Sequence, residues 1–474
     1  MGSFSAFIQE HDGADTFDVR FLTSVRQQFG ADAERVIATL AVRKKLKDKV
    51  PQWFAEPSLV YPKPLAGEQC SSSATAFYKA SLLQDIAPSA AKGCLRVADL
   101  TGGLGVDAWA FSQEAAEVLY NEMDADLADA ARHNFAALGR SNIRVSCAEI
   151  TADSLSAVLG IFAPDVIFLD PARRSASGQK VFRLADCSPD LIALKDSLLR
   201  LCPTVLVKVS PMADIAQLGR ELGDCLQAVH VVAVGDECKE LLLLLQRPGD
   251  PVRLAVHSSG TDRPLVAKSE EICSSQPVRI GLYAVQLPAA WSGSRMLREA
   301  FFQVLCDEEH PAGGQREARY LADEAELKAA RWLFVPGPAL TKAGAFNLPC
   351  RQFGLTKLGR STHLYCCAPD NPAVECRLDA EREAALSRWG KVYEIEAVVP
   401  FDKAGMREVA LRCPQADVTA RNFPLTSEAL RKKLGVKEGS GIHLFGARAD
   451  FQSPSSTGLY LIISHLLPIR KPRQ

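Results

Sequence analysis

Between residues 95 and 246, short apolar runs alternate with amphipathic stretches. Runs of five to seven mainly apolar residues, separated by segments of helical periodicity, predict a parallel α/β sheet with helices on its faces. Seven runs follow this pattern, at 95–99, 118–122, 143–147, 165–170, 204–210, 229–234 and 240–246, and helices are expected at 106–115, 126–138, 188–201 and 213–222. Only the polar turn 235–239 joins the last two runs, so we expect a hairpin whose antiparallel strand closes the sheet.

The segments on either side of this unit follow other patterns. Helical periodicity at 18–29 and 34–46, followed by a proline-rich connector, predicts a helical N-terminal region. Beyond residue 248, alternating segments predict α+β modules. We therefore expect a helical domain over 1–92, the sheet domain over 93–248, an α+β domain over 249–330, a connecting α+β region over 331–395 and a C-terminal module over 396–474.

Charge is balanced over the chain but not within it. A length of 474 residues and a hydrophobic fraction of 47% predict several cores, and a net charge of −1 gives no overall bias toward nucleic acid. Residues 411–474, however, contain ten Lys or Arg and only four Asp or Glu. Arg431, Lys432 and Lys433 fall on one predicted helix there. This basic surface suits a nucleic-acid backbone, and a solvated helix face is the alternative interpretation.

Cysteine spacing and apolar segments limit the environment of the protein. The 14 cysteines include no C-x-x-C pair, which favours reduced core thiols over a zinc site or a disulfide framework. The N-terminus lacks the basic and apolar regions of a signal peptide, and the longest leucine run, 241–245, is too short to cross a bilayer. We expect a cytoplasmic protein with no bound metal and no membrane partner.

A glycine-rich turn follows the first predicted strand. The strand ends at Asp99, and the turn contains Thr101, Gly102, Gly103 and Gly105 before a helix begins. Glycines let the backbone approach a ligand, and the helix behind them offers free N–H groups. A dinucleotide fingerprint would place its glycines directly after the strand, and a Walker loop would need Gly-Lys-Ser/Thr. A carboxylate at the strand tip instead suits a nucleoside-bearing ligand with a positive charge.

Acidic residues after the next two strands complete a nucleoside site. Glu122 comes 23 residues after Asp99, close to the separation of about 20 residues between turn and ribose carboxylate in nucleotide folds. It is positioned to accept hydrogen bonds from both ribose hydroxyls, with Asp124 as the alternative. Glu149 follows the third strand and is the candidate acceptor for an adenine amino group, with Asp153 as the alternative.

A second motif, Asp170-Pro171, ends the fourth predicted strand at the edge where open α/β sheets bind ligands. A carboxylate beside a turn stiffened by proline can accept hydrogen bonds from an exocyclic amino group and orient its lone pair. Arg173 and Arg174 could stack on a base or hold a phosphate, whereas a plain helix-capping turn is the structural alternative. Lys208 ends the fifth strand at the same edge, and we interpret it as a structural charge.

These motifs also resemble known ones. The turn resembles the first motif of Rossmann-like S-adenosylmethionine (SAM) methyltransferases, in which the acidic residue contacts the methionine end of the cofactor. Residues 165–174 are similar to the fourth motif of enzymes that methylate amino groups of bases, except that Ala172 and Arg173 replace a proline and an aromatic residue. This departure puts base stacking by the motif in doubt.

The chain as a whole resembles bacterial SAM methyltransferases with a THUMP-like domain, best represented in Bacteroidetes. The resemblance rests on VADLTGGLGVDAWAF, FLDPARR, EQCSSSATAFYKA, ALTKAGAFN and RNFPLTSEALRKKLGVKEG. It implies a Rossmann-like seven-stranded methyltransferase sheet, a ferredoxin-like domain over 249–330, a THUMP-like module over 396–474, SAM as the cofactor and RNA as the partner. In many RNA-modifying methyltransferases the segment before the first motif contacts the cofactor carboxylate, which implies that role for Ser73 and Thr75, with helix capping as the alternative.

Together these inferences predict methyl transfer from SAM to an exocyclic nitrogen of an RNA base, in ribosomal or transfer RNA. Asp99, the glycine turn, Glu122 and Glu149 would hold SAM, and Asp170, Pro171 and Arg173 would act on the acceptor. A methyltransferase for a small molecule or a protein, and a non-catalytic RNA-binding protein with a relic SAM fold, are the alternatives.

Overall fold

A computed structural model describes residues 2–87, 93–173, 184–248, 280–288, 302–305, 319–367, 380–439, 441–452 and 457–467. The chain forms two compact units, Met1–Leu305 and Cys306–Gln474. Arg174, most of the predicted 249–330 domain and the basic residues after 467 lie outside the described residues. Each unit is described by itself.

The first unit contains eleven described helices and eleven described strands. The helices are α1 (Gly2–Glu10), α2 (Val19–Phe29), α3 (Ala33–Lys49), α4 (Pro51–Phe54), α5 (Pro64–Gln69), α6 (Ser73–Ile86), α7 (Val106–Phe111), α8 (Ala125–Ala137), α9 (Leu155–Leu159), α10 (Leu191–Leu201) and α11 (Ile215–Leu222). The strands are β1 (Arg96–Asp99), β2 (Glu117–Asn121), β3 (Ile143–Ser146), β4 (Val166–Leu169), β5 (Ala172–Arg173), β6 (Cys187–Ser188), β7 (Thr204–Val209), β8 (Leu226–Val234), β9 (Glu237–Gln246), β10 (Gly281–Leu287) and β11 (Phe302–Leu305).

A sheet of nine described strands organises this unit, in the order β11-β10-β8-β9-β7-β4-β1-β2-β3. All seven predicted strands are present, which confirms the parallel α/β fold, and only β9 and β11 run antiparallel to their neighbours. The hairpin β8–β9 is also present, but β9 lies inside the sheet between β7 and β8. It therefore does not close the sheet as expected.

The predicted boundary at residue 248 is wrong, because the sheet continues beyond it. Strand β10 pairs in parallel with β8 over seven residues, from Gly281↔Ala228 to Leu287↔Val234, and β11 pairs with β10. The residues of β8 are buried except at its end, so this strand needs a neighbour on its outer edge. The described strands between 249 and 330 thus belong to the first sheet and not to a separate ferredoxin-like domain.

The N-terminal helices are present where they were predicted, but they do not all form a separate core. Phe7, Ile8 and Val25 belong to a small cluster formed by α1 to α3. In contrast, Trp53 of α4 and Phe77 of α6 belong to the same hydrophobic core as the sheet. The expected division near residue 92 therefore does not separate two cores.

The second unit contains six described helices and seven described strands. The helices are α12 (Glu324–Ala329), α13 (Pro338–Lys342), α14 (Leu348–Phe353), α15 (Ala380–Trp389), α16 (Lys403–Arg412) and α17 (Ser427–Leu434). The strands are β12 (Trp332–Pro336), β13 (Thr356–Lys357), β14 (Tyr365–Cys367), β15 (Gly390–Pro400), β16 (Asp417–Arg421), β17 (Ile442–Asp450) and β18 (Thr457–Leu466). They form one sheet in the order β13-β14-β12-β15-β18-β17-β16. The boundary predicted at 395 falls inside β15, so the connecting region and the C-terminal module share this sheet.

The described cysteines differ from expectation at one position. Ten described cysteines are free thiols, but Cys367 is disulfide-bonded, which corrects the prediction of reduced thiols at that position. No group of three or more His, Cys, Asp or Glu in the described part of the chain is arranged to hold a metal ion. Among the described helices, none combines the length and the apolar character that a bilayer crossing requires.

A buried ion cluster connects the helices to the sheet in the first unit. The Nζ atom of Lys79, on α6, lies 3.1 Å from Asp107 Oδ1 on α7 and 2.8 Å from Glu240 Oε1 on β9. Ser71 Oγ accepts a hydrogen bond from Lys79 (3.0 Å) and donates one to Asp107 Oδ2 (2.7 Å). Two helices and an interior strand are therefore held at one point.

Replacement of Lys79 by Met should destabilise this region by about 3–5 kcal/mol, because two buried carboxylates lose their counter-charge. Hydrogen exchange of the α6 and β9 amides measures the free energy of local opening. The control is Arg132→Ala, which removes an exposed pair with Asp129 and should change that energy by about 0.5 kcal/mol at most. Equal effects of the two substitutions would contradict a structural role for the cluster.

Candidate active site

A cavity of about 240 Å³ opens at the carboxyl ends of four adjacent strands, β4, β1, β2 and β3. Its walls come from the turn after β1, the loops after β2 and β3, the end of β4, and the segment 66–71 that precedes α6. Parallel strands of an open α/β sheet present their ligand sites at this edge. All the elements that the sequence assigned to a nucleoside site therefore meet at one cavity.

The turn after β1 is built in a way that only glycine permits. Gly103 and Gly105 have φ angles of +53° and +90°, which side-chain-bearing residues rarely adopt. A Cβ atom on Gly102 would lie 2.0 Å from the ring of Tyr120. The hydroxyl of Tyr120 donates to the carbonyl of Gly103 (2.5 Å), and the Gly102 amide donates to the carbonyl of Asn121 (2.8 Å). Two residues of strand β2 thus hold the turn in place through hydrogen bonds.

Glu122 lines the cavity, and its alternative Asp124 does not. One carboxylate oxygen of Glu122 accepts the Gly103 amide (2.8 Å) and the other accepts the Asp124 amide (2.9 Å). Asp124 is the N-cap of α8 and pairs with Lys63 at 2.7 Å. The Lys63 hydrogen bond is the main cause that lowers the pKa of Asp124. Of the two candidates, the structure brings only Glu122 to the cavity.

The loop after β3 forms the opposite wall. Ala148, Glu149 and Ile150 line the cavity, whereas Asp153 does not. The buried side chain of Asn121 donates to the carbonyl of Ala148 (2.9 Å), which ties this loop to the end of β2. The structure therefore brings Glu149, and not its alternative, to the site.

Asp99 lies beneath the cavity and not along its wall, which corrects its expected position. Its side chain is buried, and Oδ1 accepts the Thr101 amide at 3.2 Å. Among the described residues, Oδ2 of Asp99 has no hydrogen-bond partner. Burial, together with the carboxylates of Asp107 and Asp170, raises the pKa of Asp99 well above its usual range. Asp99 thus holds the turn through its Oδ1 atom, and its Oδ2 atom is a buried hydrogen-bond acceptor beneath the turn.

Asp170 lines the cavity at the end of β4 and is fixed by two neighbours. Its amide donates to Thr101 Oγ1 (2.6 Å), and its Oδ2 accepts from Lys208 Nζ (2.5 Å). Burial opposes the charge on Lys208, but the carboxylates of Asp170 and Glu240 outweigh it and raise the pKa of the amine. Lys208, interpreted from the sequence as a structural charge, is thus the ion-pair partner of Asp170.

The residues after Asp170 agree less well with the prediction. Pro171 does not line the cavity, whereas Ala172 does. Strand β5 pairs with β6, with Ala172 opposite Ser188. Only the backbone of Arg173 is described, in β5, so the expected role of its side chain lies outside the described residues.

Neither Ser73 nor Thr75 lines this cavity, in contrast to the expectation that both contact the cofactor. Ser73 Oγ donates to Gln52 Oε1 (2.6 Å), and Thr75 Oγ1 donates to the carbonyl of Ser72 (3.2 Å). Ser72 caps α6 by accepting the Thr75 amide. The helix begins at Ser73, and the Thr75 hydroxyl is used within its first turn, whereas the Ser73 hydroxyl reaches Gln52 on α4. The residue that caps the helix is thus Ser72, and neither Ser73 nor Thr75.

The segment before the first motif still contributes to the cavity, through Gln69, Cys70 and Ser71. The sequence analysis missed Ser71 and its hydrogen-bond partner Asp107, which also lines the cavity. Asp107 is the last residue of the glycine-rich motif, and its place in the first turn of α7 was the available signal. Burial raises the pKa of the Cys70 thiol, which keeps it neutral and unsuited to act as a nucleophile.

Comparison with known proteins identifies the family. A curated protein of Mycobacterium tuberculosis is 30% identical over 412 residues, covering 84% of this chain and 92% of its own length. It carries the name of an uncharacterized SAM-dependent methyltransferase, as does its counterpart from a second strain. The chain belongs to the SAM-dependent methyltransferases. SAM is therefore its cofactor.

Further matches extend over the whole methyltransferase. A crystal structure of a methyltransferase from Porphyromonas gingivalis superposes with a TM-score of 0.70, at 25% identity, and covers 98% of this chain and 97% of that one. A family model described as THUMP domain-like matches residues 390–461, and one described as a ferredoxin-like domain matches 332–371. The ferredoxin-like match lies in the second unit, downstream of the predicted 249–330.

Three features of the cavity fit SAM. The glycine turn leaves no room for a Cβ at Gly102, which brings backbone to the surface of the site. Glu122 offers a carboxylate at the end of β2, where nucleotide folds bind ribose. Asp99 supplies a buried oxygen without a described partner beneath a site for a cationic cofactor.

Gly102→Ala should weaken SAM binding by at least about tenfold, because the new Cβ displaces the turn from Tyr120. Calorimetry of the purified methyltransferase measures the affinity. Gly219→Ala is the matched control, since the added Cβ meets only Ile280 Cδ1 at 3.2 Å and Gly219 does not line the cavity. Unchanged affinity in Gly102→Ala would show that the turn does not contact the cofactor.

Proposed function

We propose that this methyltransferase modifies an exocyclic nitrogen of an RNA base in the cytoplasm. The position of Asp170 is the observation that carries the proposal. Its carboxylate lies at the end of β4 in the wall of the cofactor cavity, and among the described contacts only Oδ2 is used, by Lys208. Oδ1 is therefore available to accept a hydrogen bond from an amino group of the acceptor.

Different residues of the cavity would bind the methionine end and the nucleoside end of SAM. The backbone of the turn from Thr101 to Gly105 would pack against its methionine end, above the buried carboxylate of Asp99, while the amides of Thr101, Gly102, Gly103 and Gly105 keep their hydrogen bonds within the protein. When bound, SAM supplies a methyl carbon that exchanges its bond to sulfur for a bond to the acceptor nitrogen, the old bonding pair remaining on sulfur.

The nucleoside end of the cofactor would contact two acidic residues. Glu122 is fixed by the Gly103 and Asp124 amides and would accept hydrogen bonds from the ribose hydroxyls. Glu149 is exposed at the far wall and would accept from the adenine amino group. Both assignments rest on the side chains that line the cavity.

Asp170 would act mainly by positioning. Oδ1 accepts an N–H of the acceptor amine and directs the nitrogen lone pair toward the cofactor cavity. Lys208 holds Oδ2, so the carboxylate cannot rotate freely. The nitrogen loses one proton as it is methylated, and Oδ1, which accepts its N–H, would receive that proton. Negative charge at Asp170 also suits a site that begins the reaction with a cationic cofactor.

The second unit supports RNA as the acceptor. The THUMP domain-like match covers 390–461, which contains α17. Arg431, Lys432 and Lys433 lie in the last turn of that helix, and Lys432 and Lys433 are exposed. Such side chains neutralise phosphates independently of sequence. This observation favours RNA over a protein or small-molecule acceptor.

Asp170→Ala should keep SAM affinity within about threefold and lower methyl transfer by about a hundredfold or more, because the acceptor is no longer oriented. Asp170→Asn, which keeps an acceptor oxygen, should retain more activity than Asp170→Ala. The assay uses labelled SAM and total RNA from a strain that lacks the gene, with mass spectrometry of the nucleosides.

The matched control is Asp153→Ala, because Asp153 is exposed and does not line the cavity. Full turnover by Asp170→Ala would exclude the proposed role of Asp170. If the nucleosides of the deletion strain match those of its parent, and wild-type protein labels no RNA, the acceptor is not RNA.

SAM affinity should rise with pH across the range in which Asp99 of the free protein loses its proton. The pKa of Asp99 is raised in the free protein, and a nearby cation lowers it again, so binding releases a proton. Calorimetry in two buffers of different ionisation enthalpy counts this proton. Asp99→Asn should abolish the release; an unchanged proton count would assign the linkage to another group.

A further inference from the structure

A second cavity adjoins the cofactor cavity and has no assigned role. Its volume of about 1040 Å³ is large enough for a nucleotide-sized ligand. Three segments line it: the end of α3 at 45–49, residues 68–75 leading into α6, and the β8–β9 turn at 234–240. Lys208 on β7 completes the wall.

The two cavities meet at the proposed site of transfer. Gln69, Cys70 and Ser71 line both of them. Lys208 lines the second cavity, and its ion-pair partner Asp170 lines the first, with 2.5 Å between Nζ and Oδ2. A ligand in the second cavity and a methyl donor in the first would therefore approach each other beside Asp170.

Lys49 gives the second cavity a positive charge without a matching acid. Its Nζ donates to the carbonyls of Glu68 (2.6 Å) and Gly67 (3.4 Å), and among the described ion pairs it has no carboxylate partner. Of the five described acidic residues that line the cavity, Glu68 pairs with Lys45, Glu237 with Lys239 and Glu240 with Lys79; the other two are Asp48 and Asp236.

Four lysines, Lys45, Lys49, Lys208 and Lys239, line the cavity beside these acidic residues. Burial lowers the pKa of Lys49, and the ammonium groups of Lys208 and Lys239 lower it further. Lysines that repel one another around a cavity would be stabilised by a bound anion. The first turn of α6, a helix of 14 residues, lies in the same wall, where the amides of a helix start also favour negative charge.

We propose that the second cavity binds the acceptor nucleotide, with Lys49 and Lys239 contacting its phosphate and its base directed toward Asp170. The identification of that nucleotide as part of an RNA rests on the proposed function. Phosphate recognition by the cavity does not, because it rests on the volume and on Lys49, which has no carboxylate partner among the described ion pairs.

Kinetics of the full-length protein test the acceptor role. Lys49→Gln/Lys239→Gln should raise the KM for total RNA from the deletion strain by at least about tenfold, because two phosphate contacts are lost, while SAM affinity stays unchanged. Lys44→Gln/Lys47→Gln is the control, with the same charge change on exposed positions of α3 outside the cavity. Identical RNA kinetics in the two double variants would overturn the proposal.

Lysine acetylation tests the phosphate site without RNA. Inorganic pyrophosphate, added to the SAM-loaded wild-type protein, should slow acetylation of Lys49 and Lys239, read by peptide mass spectrometry, and leave Lys44 and Lys47 unaffected. Equal rates with and without pyrophosphate would overturn the anion site. Protection by pyrophosphate without any RNA methylation would support the cavity and reject RNA as the acceptor, so the two failures are distinguishable.

Discussion

The burial of Lys79 is the constraint on which the first unit depends. An amine removed from water is tolerated only where carboxylates and hydroxyls surround it, and here these come from α7, β9 and the segment before α6. Each of these elements also forms a wall: Asp107 and Ser71 line the cofactor cavity, and Glu240 and Ser71 line the second one. A single point in the core thus sets the relative positions of both cavities.

The cofactor cavity is held by bonds between the strand ends. The Leu100 amide donates to the carbonyl of Phe168 (3.1 Å), which ties the turn after β1 to β4. Asn121 donates to the carbonyls of Leu100 (3.3 Å) and Ala148, so the loops after β1 and β3 are joined through β2. These contacts form within the protein, and the walls therefore need little rearrangement to receive a ligand.

The sequence predicted what depends on local pattern. Periodicity identified the seven strands, and the spacing from Asp99 to Glu122 identified a residue that does line the cavity. It could not identify contacts that depend on strand order. Lys208 meets Asp170 because β4 and β7 are neighbours with Leu169 opposite Val207, a register that no spacing along the chain reveals. Strand β10 was assigned to a separate α+β domain for a similar reason, since 34 residues separate it from β9.

The contact between Gly102 and Tyr120 has a consequence for how this family can vary. The ring fills the space that a side chain at 102 would need, and its hydroxyl also supports the carbonyl of Gly103. The two positions are therefore expected to covary: a relative with a small residue at 120 has room for alanine at 102, but it must stabilise the turn by another contact. The effect of a substitution at one position then depends on the residue present at the other. The order in which the two substitutions arise decides whether the single variants keep the turn folded around the cofactor.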